Sequence, residues 1–276
     1  MIEPTPFNPQ QPAEKDGQPA ASGGEALVAL DGVSKRYGAK TAVEDLWLQL
    51  YAGEVFAFLG PNGAGKTTTL KMTTGLLAPD QGSVTVCGIP MGPEAPAAKQ
   101  GIAYVPDQPF LYDKLTGREF INFTSDMYGV PRKTARERFD RIVDRLDMSK
   151  FIDQLSESYS HGMKQRVALA AAMIHHPRVL IVDEPIVGLD PRTIRVIKTM
   201  FREIAADGGT VFMSTHTLDV AEQIGDRIGI LHQGRLIALG TLAELQRRAT
   251  GRLEDIFLHL TDGWGDDQPE PGPSPP

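Results

Sequence analysis

Apolar positions fall into two spacings along the chain. Short β-branched and aromatic runs alternate with stretches where apolar residues recur every third or fourth position. Residues 54–60 (EVFAFLG), 83–88 (SVTVCG), 102–106 (IAYVP), 179–185 (VLIVDEP) and 210–216 (TVFMSTH) read as strands. Helical spacing covers 67–77, 118–128, 134–146 and 193–206, and an Ala-rich run follows Arg166. Thr116 with Glu119, and Thr241 with Glu244, have the spacing of a helix-opening capping box. Strands interleaved with helices predict an α/β fold with a mostly parallel sheet. Periodicity is absent at both ends. Residues 1–25, rich in Pro, Gln, Ala and Gly, read as a disordered arm, and 261–276 as a disordered acidic, Pro-rich tail. One ordered domain, 26–260, is expected between them.

Composition narrows the class. Apolar residues make up 41%, enough to bury a real core. The formal net charge of -7 argues against non-specific nucleic-acid binding, so no nucleic-acid partner is expected. Cys87 is the single cysteine, which excludes an internal disulfide framework and points to a reducing, cytoplasmic setting. The first residues lack the basic and apolar regions of a signal peptide. No apolar run approaches the ~20 residues that a bilayer crossing needs. Any membrane role therefore requires a partner.

The sharpest chemistry lies between the first strand and the helix after it. Residues Gly60, Pro61, Asn62, Gly63, Ala64, Gly65, Lys66 and Thr67 match G-x-x-x-x-G-K-[ST] in full, with Thr68 next. Gly60, Gly63 and Gly65 let the backbone curl, aiming consecutive N–H groups at one anion beside a helix N-terminus. Lys66 is placed to reach the β- and γ-phosphates, and the Thr67 hydroxyl to bind Mg²⁺. ATP and Mg²⁺ are thus the expected ligands. A second strand carries four apolar residues into Asp183 and Glu184. Burying it delivers both acids to the ligand edge of the sheet. Asp183 suits Mg²⁺, and Glu184 suits orienting or deprotonating an attacking water.

Between these motifs stands Tyr159-Ser160-His161-Gly162-Met163-Lys164-Gln165-Arg166. It resembles the signature motif of ABC ATPases, with His161 in place of a glycine and Met163 in place of a glutamine. Ser160 is positioned to cap the next helix, and the Gly162 region to offer amides to a phosphate. The order of phosphate loop, signature, Asp-Glu strand and a later histidine is similar to that of an ABC nucleotide-binding domain. The resemblance implies a P-loop NTPase core, an N-terminal antiparallel β part, and a helical subdomain at about 110–160. It implies adenine stacking by Tyr37, γ-phosphate contact by His216, and Asp107 (or Gln108 beside it) touching Mg²⁺ and water. It also implies that Gly188-Leu189-Asp190 runs between two subunits. Further implications are ATP hydrolysis with Lys66, Glu184 and His216, a second nucleotide-binding subunit (identical or different), and a transmembrane permease. The chain would then sit on the cytoplasmic face of the cell membrane, driving export. Relatives in DNA repair carry a long coiled coil or zinc modules, and translation factors typically carry two such domains. Neither pattern occurs in this sequence. A soluble ABC ATPase acting in DNA repair, translation or regulation without a permease is the alternative.

Overall fold

The computed structural model describes residues 24–92, 94–248 and 253–262. The expected arm and tail lie almost wholly outside these described residues.

Two sheets face each other across an apolar layer. The first is antiparallel, with strands β1 (Ala26–Tyr37), β2 (Lys40–Tyr51), β4 (Gln81–Val86) and β5 (Ile89–Pro90) in the order β2-β1-β4-β5. The second contains β3 (Val55–Leu59), β6 (Ile102–Val105), β7 (Val179–Asp183), β8 (Thr210–Thr215), β9 (Arg227–His232) and β10 (Arg235–Gly240). Its order is β10-β9-β3-β8-β7-β6, parallel except for the β9–β10 hairpin. Helix α1 (Lys66–Thr73) leaves β3, and the short α2 (Pro96–Gln100) precedes β6. Then come α3 (Gly117–Met127), α4 (Arg132–Arg145) and α5 (His161–Met173). Helices α6 (Pro191–Ala206), α7 (Leu218–Ile224), α8 (Leu242–Arg248) and α9 (Leu253–Asp262) complete the described chain.

The central strands are buried on both faces, which is why they read as unbroken apolar runs. Their side chains divide with period two. Val55, Ala57 and Leu59 of β3, with Leu180 and Val182 of β7, pack toward the helices. Phe56, Phe58, Val179, Ile181 and Phe212 pack on the other face, toward the antiparallel sheet and α1. Phe212 meets Phe56 edge-on, with ring centroids 5.7 Å apart. The expected helix 67–77 stops earlier, at Thr73, because Gly75 turns left-handed at φ 70°. Helices α3, α4 and α6 lie within two residues of their expected bounds. Both capping boxes form. Thr116 N donates to Glu119 Oε2 at 2.8 Å, and Thr241 N donates to Glu244 Oε2 at 2.7 Å.

The segment between β6 and α5 is the helical subdomain. Tyr159 ties it to the start of α5. The Tyr159 hydroxyl accepts from Gly117 N at 3.0 Å and faces the carbonyls of Phe151 (2.9 Å) and Gln154 (3.0 Å). It needs Gly117 opposite, because a Cβ there would lie 2.9 Å from that oxygen and 2.8 Å from Ile152. Removing the hydroxyl strands buried backbone groups, which costs about 1–3 kcal/mol. Tyr159→Phe is therefore expected to lower the free energy of unfolding in urea by that amount, with the denaturant slope unchanged and the midpoint reduced. A variant as stable as the parent would contradict this role.

Candidate active site

The loop from Gly60 to Gly65 is bent by close backbone approaches. A Cβ at Gly65 (φ 110°) would sit 2.2 Å from Ala42 O, and one at Gly60 would sit 2.4 Å from Leu231 O. Gly63 (φ 82°) has open space instead, so its curl is a backbone requirement. Gly234 N donates to Ala64 O at 2.8 Å, fastening the loop to the β9–β10 turn. Inside the curl, the Lys66 ammonium donates to Gly60 O at 2.7 Å and to Pro61 O at 3.2 Å. Burial pushes its pKa down, opposed by the Glu184 and Asp183 carboxylates. A buried ammonium whose partners are mostly carbonyls is a receptive site for phosphate oxygens.

The carboxylates arrive at the end of β7. Thr67 Oγ1 donates to Asp183 Oδ2 at 2.7 Å, and the Ser214 hydroxyl donates to Asp183 Oδ1. Glu184 adopts φ 50°, a left-handed conformation that costs a non-glycine residue energy and turns the chain out of the sheet. Its amide donates to Ser214 O at 3.2 Å. Its Oε1 lies 2.9 Å from His216 Nδ1 and 3.8 Å from Lys66 Nζ. One carboxylate oxygen thus stands between the histidine and the phosphate-loop lysine.

A single cavity gathers most of the expected residues. Tyr37, half exposed at the end of β1, and Lys40 form one wall. Asn62, Gly63, Gly65, Lys66, Thr67 and Thr68 line it from the phosphate loop, together with Asp107, Asp183 and Glu184. His216 joins through Glu184. Asp107 also faces a neighbouring cavity with Gln108, His161 and Lys164. Ser160 and Gly162 are not brought to the phosphate loop. Ser160 caps α5, accepting from Met163 N at 3.4 Å. Gly162 packs against Leu189 and Gly188, and the His161 ring lies against Gly188. Asp190 is also elsewhere. It caps α6, accepting from Arg192 N and Thr193 N at 3.0 Å each and from Thr193 Oγ1 at 2.7 Å. These hydrogen bonds, that of Thr193 Oγ1 foremost, hold its carboxyl below the usual range.

Two contributors escape motif reading. Lys40 follows the β1–β2 turn and carries no motif. Ser214 anchors both Asp183 and the Glu184 backbone from 31 and 30 residues away. Its only sequence signal is its place two residues before His216, on an apolar strand.

The donors fit Mg²⁺. That ion takes hard oxygen ligands, usually one or two carboxylates completed by substrate phosphates and water. A threonine hydroxyl beside a carboxylate, at the lip of a curled amide loop, supplies the protein's share. Among the described residues no cluster of three or more His, Cys, Asp or Glu is placed to hold a metal ion.

A protein-family model described as ABC transporter matches residues 43–187. A linearmycin resistance ATP-binding protein of Bacillus subtilis is 38% identical over 235 residues, spanning 85% of this chain and 75% of that one. Among solved structures, an ATP-binding subunit of an ABC transporter superposes with TM-score 0.81 and 31% identity, over 85% of this chain and 99% of that one. A dimeric ATP-binding cassette in a post-hydrolysis state, bound to ADP and Pi, superposes with TM-score 0.72 at 26% identity, over 78% and 99%.

Proposed function

This chain belongs to the ABC transporter family and is an ATP-binding, ATP-hydrolysing subunit of that kind, and we propose that it closes head-to-tail on a second nucleotide-binding subunit around two ATP molecules, driving a separate transmembrane permease in the direction of export. The observation that carries the reading is the placement of Glu184 Oε1 between His216 and Lys66, at the mouth of the phosphate loop.

The chemistry follows from these positions. The curled amides and Lys66 receive the β- and γ-phosphates, and Tyr37 stacks on adenine. Thr67 and Asp183, with Asp107 opposite, are the oxygen donors placed to hold Mg²⁺, which when bound neutralises charge across the β- and γ-phosphates. Glu184 orients a water in line with the γ-phosphorus and takes its proton as the oxygen attacks. His216, held by the same carboxylate, contacts the γ-phosphate. ADP and inorganic phosphate leave.

Ser160 and the Gly162 amides lie outside the chain's own cavity, so a second subunit must present them. The N-terminus of α5 offers unpaired amides and the positive end of a helix dipole. Each charge-assisted contact contributes about 1.5–3 kcal/mol. About 5.5 kcal/mol moves a two-state balance from 1:99 to 99:1, so a few such contacts suffice to close the pair. Hydrolysis removes the γ-phosphate link, and the pair reopens.

Among the described residues no helix is long and apolar enough to cross a membrane. A separate permease would therefore carry the substrate path and hold this subunit at the cytoplasmic face. Export is supported by the relative named for linearmycin resistance. Purification from membranes tests the assembly. The expected result is a co-purifying polytopic protein that changes the ATPase rate. An ATPase that leaves the membrane with no such partner would contradict it.

A further inference from the structure

The Tyr104 hydroxyl is buried and has no hydrogen-bond partner among the described residues. A buried, unpaired hydroxyl costs about 1–3 kcal/mol, so a partner for it has to be sought. Its position supplies one. On β6, Ala103 and Val105 face the helices, while Tyr104 packs on the opposite layer, the one that contains α1. Tyr104 pairs in register with Ile181 of β7. Two residues further along β7, on that same face, stands Asp183. Two residues beyond Val105 stands Asp107. The tyrosine therefore lies beneath the edge where these two carboxylates converge on the cavity. Burial, with the negative charges of Asp183 and then Asp107, holds the phenol above its ordinary value. It keeps its proton and remains a donor.

We propose that Tyr104 is a positioning residue whose hydroxyl donates to a water bridging Asp183 and Asp107 when MgATP is bound. The inference rests on the reading of this site as a Mg²⁺-dependent ATPase. Asp183 already accepts from Thr67 and Ser214, and among the described residues neither is hydrogen-bonded to Asp107. The bridge would fix Asp107 relative to Asp183, so that both carboxylates meet the ion in one arrangement. Outer partners of this kind set metal affinity about 10–100-fold.

Tyr104→Phe removes the oxygen and little else. Three readings decide the matter: thermal stability, affinity for ATP with and without Mg²⁺, and the Mg²⁺ concentration giving half-maximal ATPase rate. The expected variant melts at or above the parental temperature and binds ATP without Mg²⁺ as the parent does. Its half-saturating Mg²⁺ concentration rises about tenfold or more. A variant with parental Mg²⁺ dependence would overturn the proposal. So would one that melts earlier and loses ATP affinity equally with and without Mg²⁺, since the hydroxyl would then be structural. If the parent itself shows no Mg²⁺-dependent hydrolysis, the ATPase reading fails first, and the parent assay separates the two failures.

Discussion

Glu184→Gln is expected to lower ATP turnover by about 10²–10⁴-fold, the range spanned by loss of a positioned general base. The amide keeps the size and shape of the side chain but has little affinity for a proton. Its surroundings should hold, because the backbone anchor from Glu184 N to Ser214 O does not involve the side chain. ATP binding should stay within a few-fold of the parent, since the phosphate contacts come from the loop amides and Lys66. Steady-state phosphate release, with ATP binding measured separately, checks both. A variant hydrolysing at the parental rate would remove Glu184 from the chemistry.

Lys66→Ala acts on the other half of the site. It deletes the buried side-chain cation of the cavity, 6% exposed, which the phosphate loop encloses. Two charge-assisted contacts at about 1.5–3 kcal/mol each amount to a loss of roughly 10²–10⁴-fold in ATP affinity. Titration of a fluorescent ATP analogue reads this directly. ADP binding should suffer less, because the γ-phosphate contact is absent there. Equal losses for ATP and ADP would place Lys66 on the β-phosphate alone.

Much of this site was legible because its residues are consecutive. The phosphate loop and the Asp183-Glu184 pair are each read off a single strand end, where local sequence dictates where side chains go. The strands themselves were legible because burial on both faces leaves an unbroken apolar run. Other parts needed long-range information. The β1–β2 pair was expected only through resemblance, since its alternation is broken by register shifts at Leu30/Val33 and Val33/Lys35. The β9–β10 hairpin went unread, although Gln233 and Gly234, at φ 46° and 83°, form the left-handed pair that favoured two-residue turns require. Ser214 and Tyr104 matter through neighbours on other strands, and no spacing rule reports that. Asp190 shows the opposite case: the motif was visible, and the structure spends its carboxylate on capping α6.

The proposed closure of two subunits on ATP would join the phosphate loop of one to Ser160 and Gly162 of the other. It is tested by the mass of the Glu184→Gln protein in light scattering after gel filtration, with ATP, with ADP, and with ATP after adding Ser160→Arg. The account predicts twice the monomer mass with ATP, and the monomer mass in the other two conditions. A monomer with ATP, or a dimer that persists with ADP or with Ser160→Arg, would contradict it.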